Sequence, residues 1–507
     1  MIGIQCRVQR RLFLIQCCLV WSAHAQNLDS LVSRSLDFSR QQLTRTVAEL
    51  QNSAAYGDSV YPRSTSRADG RWKPMSEGHW ASGFLPGCFW LMYEWTSDNV
   101  WKSWAERWTA GVLKEQYRTK DHEAGFIIPS SVGHGYRLIG DTLYRTVLLQ
   151  AAKTLVTRCN SNVGCIRSWD NYHFPVIIDG MNALQLLWWA SKNGGGSSFR
   201  DLAVSHSVKT MENNIRPDGS CYQIVDYDPA TGVVLDRTNK QGYSKSSTWS
   251  RGQAWAIYGF TVAYRETRDE RFSQTARSVA DYFINNLPFD YVPYWDFQAP
   301  NIPNEEKDVS AAAIAASGLL ELSTIVFDNE AREKYWNAAQ HILASLCSPS
   351  YLAAGTNSRG ILLHGVGNRM NENRDAGEVD VSLIYADYFF IEAMLRYKKI
   401  SAPTVVVDGS QSAVPSVVSL FQNYPNPFNG NTVVSYELPA NSEVDLSVYS
   451  LLGKRVKILK EGFQVSGRHW VNWDGNDESG HPVASGAYYY QLRTSKSAVM
   501  KRMLLIK

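Results

Sequence analysis

The sequence predicts two folded units of different class: a mainly α unit that closes as a helical toroid, then a small β-sandwich. Three observations predict it. Apolar residues recur with a 3.6 period over many segments of similar length before residue 400, joined by long loops. Beyond residue 430 the period becomes two. Between them lies Ser401-Ala-Pro-Thr-Val-Val-Val-Asp-Gly-Ser-Gln-Ser-Ala-Val-Pro415, a linker by its Ser, Pro and Gly content. At 507 residues the chain exceeds one typical domain.

In chain order, residues 1–25 read as a cleaved signal peptide. Arg7, Arg10 and Arg11 precede the apolar Leu12-to-Trp21 run, and Ala23-His24-Ala25 supplies a small-x-small cleavage site. The run is too short to span a bilayer, and no later segment anchors the chain, so the expectation is a secreted or cell-surface protein without a membrane span. Residues 26–398 form the helical unit, with periodic segments at 28–50, 98–117, 142–157, 197–214, 252–267, 271–286, 310–325, 330–346 and 381–398. Residues 399–415 are the linker and 416–507 the sandwich. Its strands are Thr432-Val-Val-Ser-Tyr-Glu-Leu, Glu443-Val-Asp-Leu-Ser-Val-Tyr, Arg468-His-Trp-Val-Asn-Trp, Gly486-Ala-Tyr-Tyr-Tyr-Gln-Leu and Ala498-Val-Met-Lys-Arg-Met-Leu.

Composition excludes some partners and favours one. A net charge of +3 points to neither nucleic acid nor a membrane surface. Aromatics are 12% of residues, and most of the 17 Trp fall before residue 300; aromatic faces stack on sugar rings, although most of these Trp belong to the core. No Cys/His spacing resembles a zinc site. Cys159 and Cys165 flank a short polar loop, which fits a local disulfide in an exported protein and fits two ordinary thiols equally well. Asp474, Asn476 and Asp477 suggest calcium less than an inter-strand turn.

The stretch Val176-Ile-Ile-Asp-Gly-Met-Asn-Ala-Leu-Gln-Leu-Leu-Trp-Trp-Ala-Ser carries the chemistry. Asp179 follows an apolar run and precedes a helical pattern with Met181, Leu184, Leu187 and Trp188 on one face. Such an acid is either a helix N-cap or a carboxyl kept dry, with its pKa raised into general-acid range.

The remaining motifs carry a resemblance. From Gly78 to Tyr397 the chain contains Trp80-Ala-Ser-Gly-Phe-Leu-Pro-Gly, Asp121-His-Glu-Ala-Gly-Phe, Ile178-Asp-Gly-Met-Asn, Arg216-Pro-Asp-Gly-Ser, Gln241-Gly-Tyr-Ser, Trp249-Ser-Arg-Gly-Gln-Ala-Trp, Tyr294-Trp-Asp-Phe, Asp308-Val-Ser-Ala-Ala and Ser382-Leu-Ile-Tyr-Ala-Asp-Tyr-Phe-Phe. In order and number these resemble glycoside hydrolase family 88, the unsaturated glucuronyl hydrolases. The resemblance implies an (α/α)6 barrel. It implies removal of a 4,5-unsaturated uronic acid from the non-reducing end of lyase-generated oligosaccharides by hydration of the vinyl ether, with no metal or cofactor. The carboxylate-separation rule for retaining and inverting enzymes then does not apply.

Residue by residue, Asp179 matches the family's acid/base aspartate. Glu123 stands where the family's His-Asp-x-Gly-Phe element has its second carboxylate, and is one methylene longer; Asp121 is the rival for that role. Gln241, Arg251 and Trp255 match residues that hold the substrate carboxylate and stack on the unsaturated ring; Arg suits a bidentate grip. Trp80 matches an aromatic wall, and Ser382 a late serine on the aglycone side. His122 is expected to orient the neighbouring carboxylates, whereas His79, His134 and His173 are expected to be structural. Gln223 replaces a family histidine. Arg237-Thr-Asn239-Lys240 replaces a Gly-x-Thr stretch, and its two cations suggest a sulfated neighbour sugar or a solvated loop.

Residues 416–507, through Asn423-Tyr-Pro-Asn-Pro-Phe-Asn, Leu451-Leu-Gly-Lys, Trp473-Asp-Gly-Asn-Asp and Gly486-Ala-Tyr-Tyr-Tyr, resemble type IX secretion sorting domains or the similar FlgD-like immunoglobulin modules, which implies secretion machinery as a partner. Two further readings stay open: an unsaturated rhamnogalacturonyl-type hydrolase, and a non-catalytic glycan-binding surface protein.

Overall fold

The computed structural model describes residues 28–51, 60–369, 378–401, 418–423, 426–464, 467–495 and 497–506. The expected signal peptide, 1–25, and residues 402–415 of the expected linker lie outside them. Two compact units divide between Ala402 and Pro403.

The first unit alternates outer and inner helices along the chain. The outer helices are α1 (28–51), α3 (Asn99–Val112), α6 (Thr142–Val156), α9 (Ser197–Asn213), α11 (Glu270–Asn285) and α13 (Asn329–Leu346). The inner positions are α2 (Phe84–Thr96), the pair α4 (Ala124–Ile128) and α5 (His134–Ile139), the pair α7 (Gly180–Ala183) and α8 (Gln185–Ala190), then α10 (Ser250–Thr267), α12 (Val309–Ile325) and α14 (Ile384–Ser401). Each inner element packs on the next, and α14 closes on α2. This is an (α/α)6 barrel. The sequence pattern explains the two rings. α11 buries one stripe, from Phe272 to Phe283, and exposes the rest. α12 buries every residue from Val309 to Leu320. Asp98, Asp141, Asp269 and Asp308 each accept a backbone N–H two residues on, which starts α3, α6, α11 and α12.

Short strands fill the loops at the N-terminal ends of the inner helices. β1 (Val60–Thr65) and β2 (Trp72–Ser76) form a hairpin, as do β3 (Cys159–Asn160) and β4 (Cys165–Ile166). β5 (Pro175–Ile177), β6 (Ile224–Tyr227) and β7 (Val234–Thr238) form an antiparallel sheet in that order, and β8 (Gly365–Val366) pairs with β9 (Val379–Val381). Cys159 and Cys165 are unpaired thiols. Cys159 stands opposite Ile166 and Cys165 opposite Asn160, so the two sulfurs point to opposite faces of the ribbon, one exposed and one buried. That corrects the disulfide reading.

The second unit pairs β10 (Ser419–Leu420), β11 (Thr432–Leu438) and β14 (Gly467–Trp473) in one sheet. β13 (Arg455–Gln464), β12 (Ser442–Ser450), β15 (Gly486–Thr494) and β16 (Ala498–Leu505) form the other, in that order. Val434, Tyr436, Leu446, Trp473 and Tyr490 share its core. Asp474 accepts from the Asn476 amide, and Asp477 from the Ser479 and His481 amides, so both carboxylates order turns. α14 runs to Ser401, so residues 399–401 are helix rather than linker. No helix among the described residues is long and apolar enough to cross a membrane.

Candidate active site

The N-terminal ends of the inner helices converge on a pocket of about 120 Å³. Trp80, His122, Glu123, Asp179, Gln241, Arg251 and Trp255 all line it. β5 delivers Asp179 directly into the start of α7. Two glycines let the neighbouring helices approach α7: a Cβ at Gly125 would collide with Ala183, and one at Gly259 with Met181.

Asp179 is not a capping residue, because its side chain accepts no cap hydrogen bond from α7. Its Oδ2 is buried with no hydrogen-bond partner among the described residues. Burial pushes the carboxyl up to about 6, and the Arg251 guanidinium works against the rise. The site therefore holds a dry acid that carries its proton well above the ordinary carboxylate range.

Arg118 organises the second carboxylate. Its Nη2 donates to Glu123 Oε2 at 2.6 Å, its Nη1 to Glu115 Oε2 at 2.9 Å and to the Gly78 carbonyl at 2.7 Å. Its Nε and Nη2 fork onto the two oxygens of Asp121. Asp121 also accepts the Glu123 amide at 2.9 Å and does not line the pocket. Burial disfavours ionisation of Asp121, but the Arg118 fork outweighs it and holds that carboxyl below its ordinary value. Burial, and then the Asp121 charge, push Glu123 upward against the pull of Arg118. Of the two rivals, Glu123 faces the pocket and Asp121 anchors the arginine.

Arg251 reaches the wall with its terminal nitrogens engaged. Nη1 donates to Asp308 at 2.8 Å, to Ser310 Oγ at 3.2 Å and to the Val366 carbonyl; Nη2 donates to Gln241 Oε1 at 2.9 Å and the Gly367 carbonyl at 2.6 Å. Its plane lies over Trp249, 4.5 Å from the ring centre. Trp80 packs on Tyr385 at 4.8 Å, and Trp255 meets Phe126 edge-on at 5.6 Å.

Comparison with known proteins decides the family. An unsaturated glucuronyl hydrolase of Formosa agariphila is 39% identical over 348 residues, 67% of this chain and 85% of that protein. An unsaturated chondroitin disaccharide hydrolase of Streptococcus agalactiae is 33% identical, over 65% of this chain and 83% of that protein. The crystal structure of an unsaturated glucuronyl hydrolase specific for heparin superposes with a TM-score of 0.69 at 39% identity, covering 73% of this chain and 98% of that one. The chain belongs to the unsaturated glucuronyl hydrolases. It is a glycoside hydrolase. Residues 423–498 match the FlgD Ig-like domain family.

Other expected residues of this unsaturated glucuronyl hydrolase sit behind the pocket. Gln223 Oε1 accepts the Lys240 and Gln241 amides at 2.7 and 2.9 Å, which positions Gln241. Asn239 Oδ1 accepts the Gly242 amide, and its amide nitrogen reaches the Ser247 carbonyl, so it orders the loop. Ser382 Oγ shares a hydrogen bond with Ser358 Oγ at 2.8 Å and does not line the pocket. Arg237 donates to the Asn213 carbonyl and to Asn213 Oδ1, at 3.0 and 2.9 Å, because β7 lies beside the end of α9. Its guanidinium is thus tied to the end of α9 and is exposed outside the pocket lining. Lys240 Nζ lies 5.5 Å from the ring centre of Trp169, a pocket residue. His79 Nδ1 accepts the Ala81 amide, His134 bonds Tyr388, and His173 bonds Asp226.

The sequence reading missed Arg118, Arg63, Trp169, Glu378 and Tyr385. Arg63 and Glu378 line the pocket as an ion pair of 2.7 Å, although they lie far apart in sequence. Arg118 carried a local signal, three residues before Asp121, and Tyr385 lay within the quoted Ser382-Leu-Ile-Tyr motif. Among the described residues no His, Cys, Asp and Glu group could hold a metal ion.

Proposed function

We propose that this chain removes a 4,5-unsaturated uronic acid from the non-reducing end of lyase-generated oligosaccharides by hydrating the vinyl ether. Asp179 protonates C4. Positive charge develops at C5 and the ring oxygen. Water adds at C5 and gives its proton to the Asp179 carboxylate, and Glu123 orients substrate and water. The hemiketal opens and releases the aglycone sugar. The observation that carries this reading is the dry, raised carboxyl of Asp179 in a pocket walled by Trp80, Trp255 and the Gln241–Arg251 pair. Arg251 contributes its charge to a uronate, and Gln241 presents its amide. The Trp249-to-Trp255 element favours glucuronyl over rhamnogalacturonyl substrates. Lyase digests of heparin, chondroitin and unsulfated glycans test it: the ultraviolet absorbance of the conjugated double bond should vanish as the aglycone sugar is released. No loss of absorbance on any digest would leave a glycan-binding protein.

The proposal extends to export. The Arg-rich, apolar N-terminus and the Tyr-Pro-Asn-Pro-Phe-Asn element support passage through a type IX route, with the Ig-like unit as the sorting signal. Fractionation of cells bearing the full chain, against one ending at Ser401, tests this: only the full chain should reach the medium or cell surface.

A further inference from the structure

Two buried histidines meet behind the acid. His206, on α9, is 1% exposed, and His122 is 3% exposed with its ring against the pocket. His206 Nδ1 accepts the Ile166 amide at 3.2 Å. A neutral imidazole that accepts at Nδ1 carries its proton on Nε2. That Nε2 has no hydrogen-bond partner among the described residues, and neither has His122 Nδ1.

Gly180 shows where these atoms point. A Cβ built on Gly180 would lie 3.3 Å from His206 Nε2 and 3.6 Å from His122 Nδ1. A buried donor and a second buried ring nitrogen, able to accept, thus converge on one spot beside the residue that follows Asp179. Buried polar atoms are satisfied directly or by an ordered water, and here each is the complement of the other. Burial pushes His122 down to about 4 and His206 to about 3, so neither ring carries charge near neutrality.

We propose that His206 is a positioning residue whose Nε2–H, directly or through one water, holds His122 as its Nε2–H tautomer and so presents a neutral hydrogen-bond donor to the pocket beside Asp179 and Glu123. A second-layer group that sets which ring nitrogen carries the proton is a general device for orienting imidazoles. The absence of a side chain at Gly180 keeps the contact open. The kinetic part of this inference rests on the hydration reading; the tautomer part does not.

Nitrogen-labelled histidine in the full chain reports the tautomer by long-range nitrogen–proton correlation, with the His122 signal assigned by its loss in His122→Gln. Wild type should show Nε2–H at His122. His206→Gln keeps an acceptor for Ile166 and a donor for His122, and should preserve both tautomer and kcat. His206→Leu should release the Nδ1–H form and lower kcat about tenfold at unchanged KM, the scale of one hydrogen bond. Gly180→Ala puts a methyl 3.3 Å from His206 Nε2 and 3.6 Å from His122 Nδ1, where a bridging water would sit, and should do the same if His206→Leu fails to fold. An unchanged His122 tautomer in either the His206→Leu or the Gly180→Ala protein overturns the proposal, as does equal impairment by His206→Gln and His206→Leu. If wild type shows no turnover, the function reading fails and the spectra still decide this one.

Discussion

At the N-terminal ends of the inner helices the pocket measures about 120 Å³, and Asp179 Oδ2 has no hydrogen-bond partner among the described residues. At the C-terminal ends of α2, α10 and α14 the barrel holds a larger cavity, about 540 Å³, lined by Glu94, Arg137, Lys192, Arg265, Glu392 and Arg396 among others. There Arg137 pairs with Glu94, Lys192 with Glu266, and both Arg265 and Arg396 with Glu321. The same helices, 18 residues and about 27 Å long in α10, separate a mouth that withholds partners from its acid and a mouth that supplies them to its cations. Volume alone would choose the wrong end. Chemistry needs a group whose ionisation is unsettled, and at Asp179 burial without a partner produces one.

The hardest test of that contrast is Asp179→Asn. The amide is isosteric and cannot donate the proton, so kcat should fall by about 10²–10⁴ while the denaturation midpoint holds or rises, because an unpartnered buried carboxyl is lost. A variant within a few-fold of wild type would move the acid elsewhere. The sign of the pH dependence follows. The acid works protonated, and burial lifts it to about 6, so kcat/KM should be level below that pH and fall about tenfold per unit above it. A fall centred near ordinary carboxylate values would mean that Asp179 is wet.

Glu123→Gln comes next, at about ten- to a hundredfold in kcat/KM. Asp121→Asn should do less to rate and more to stability, about 1–3 kcal/mol by denaturant, since it strips one carboxylate from the Arg118 fork. The reverse order of effects would exchange the two roles.

How much of this was legible in the chain depends on whether a signal was local. The outer helices showed their period, so 142–157 and 271–286 fall within a residue of α6 and α11. α2 escaped because Pro86 and Gly87 stand side by side in its first turn and read as a turn, whereas α12, equally buried, has no such pair. β13 escaped because a register shift opposite Leu446/Ser447 sets Ile458 and Leu459 side by side and breaks its alternation. At the site, Asp179 and Glu123 came with motifs. Nothing near Arg237 in sequence reveals its partner Asn213, and Arg63 was missed because its partner Glu378 stands 315 residues further along the chain.

The far mouth should answer in stability alone. Glu321 is nearly buried and holds two guanidiniums, so Glu321→Gln strands charge and should cost about 3–5 kcal/mol with kcat/KM of the folded enzyme unchanged. A loss of activity at full stability would mean that the two mouths communicate.

Glu94→Gln asks the same question at the smallest scale. The Arg137–Glu94 pair is 46% and 37% exposed, so water already solvates both partners and its removal should shift stability by under about 1 kcal/mol. Yet Arg137 Nη2 also donates to His134 Nδ1 at 2.9 Å, and His134 Nε2 meets the Tyr388 hydroxyl at 2.7 Å. Tyr388 lies on α14 one turn beyond Tyr385, which walls the reaction pocket against Trp80. If the far mouth is inert scaffolding, releasing Arg137 from Glu94 leaves kcat/KM untouched. If α14 carries strain from one mouth to the other, this exposed pair is where a small stability change would bring a disproportionate loss of rate, and the contrast between the two ends would become a coupling.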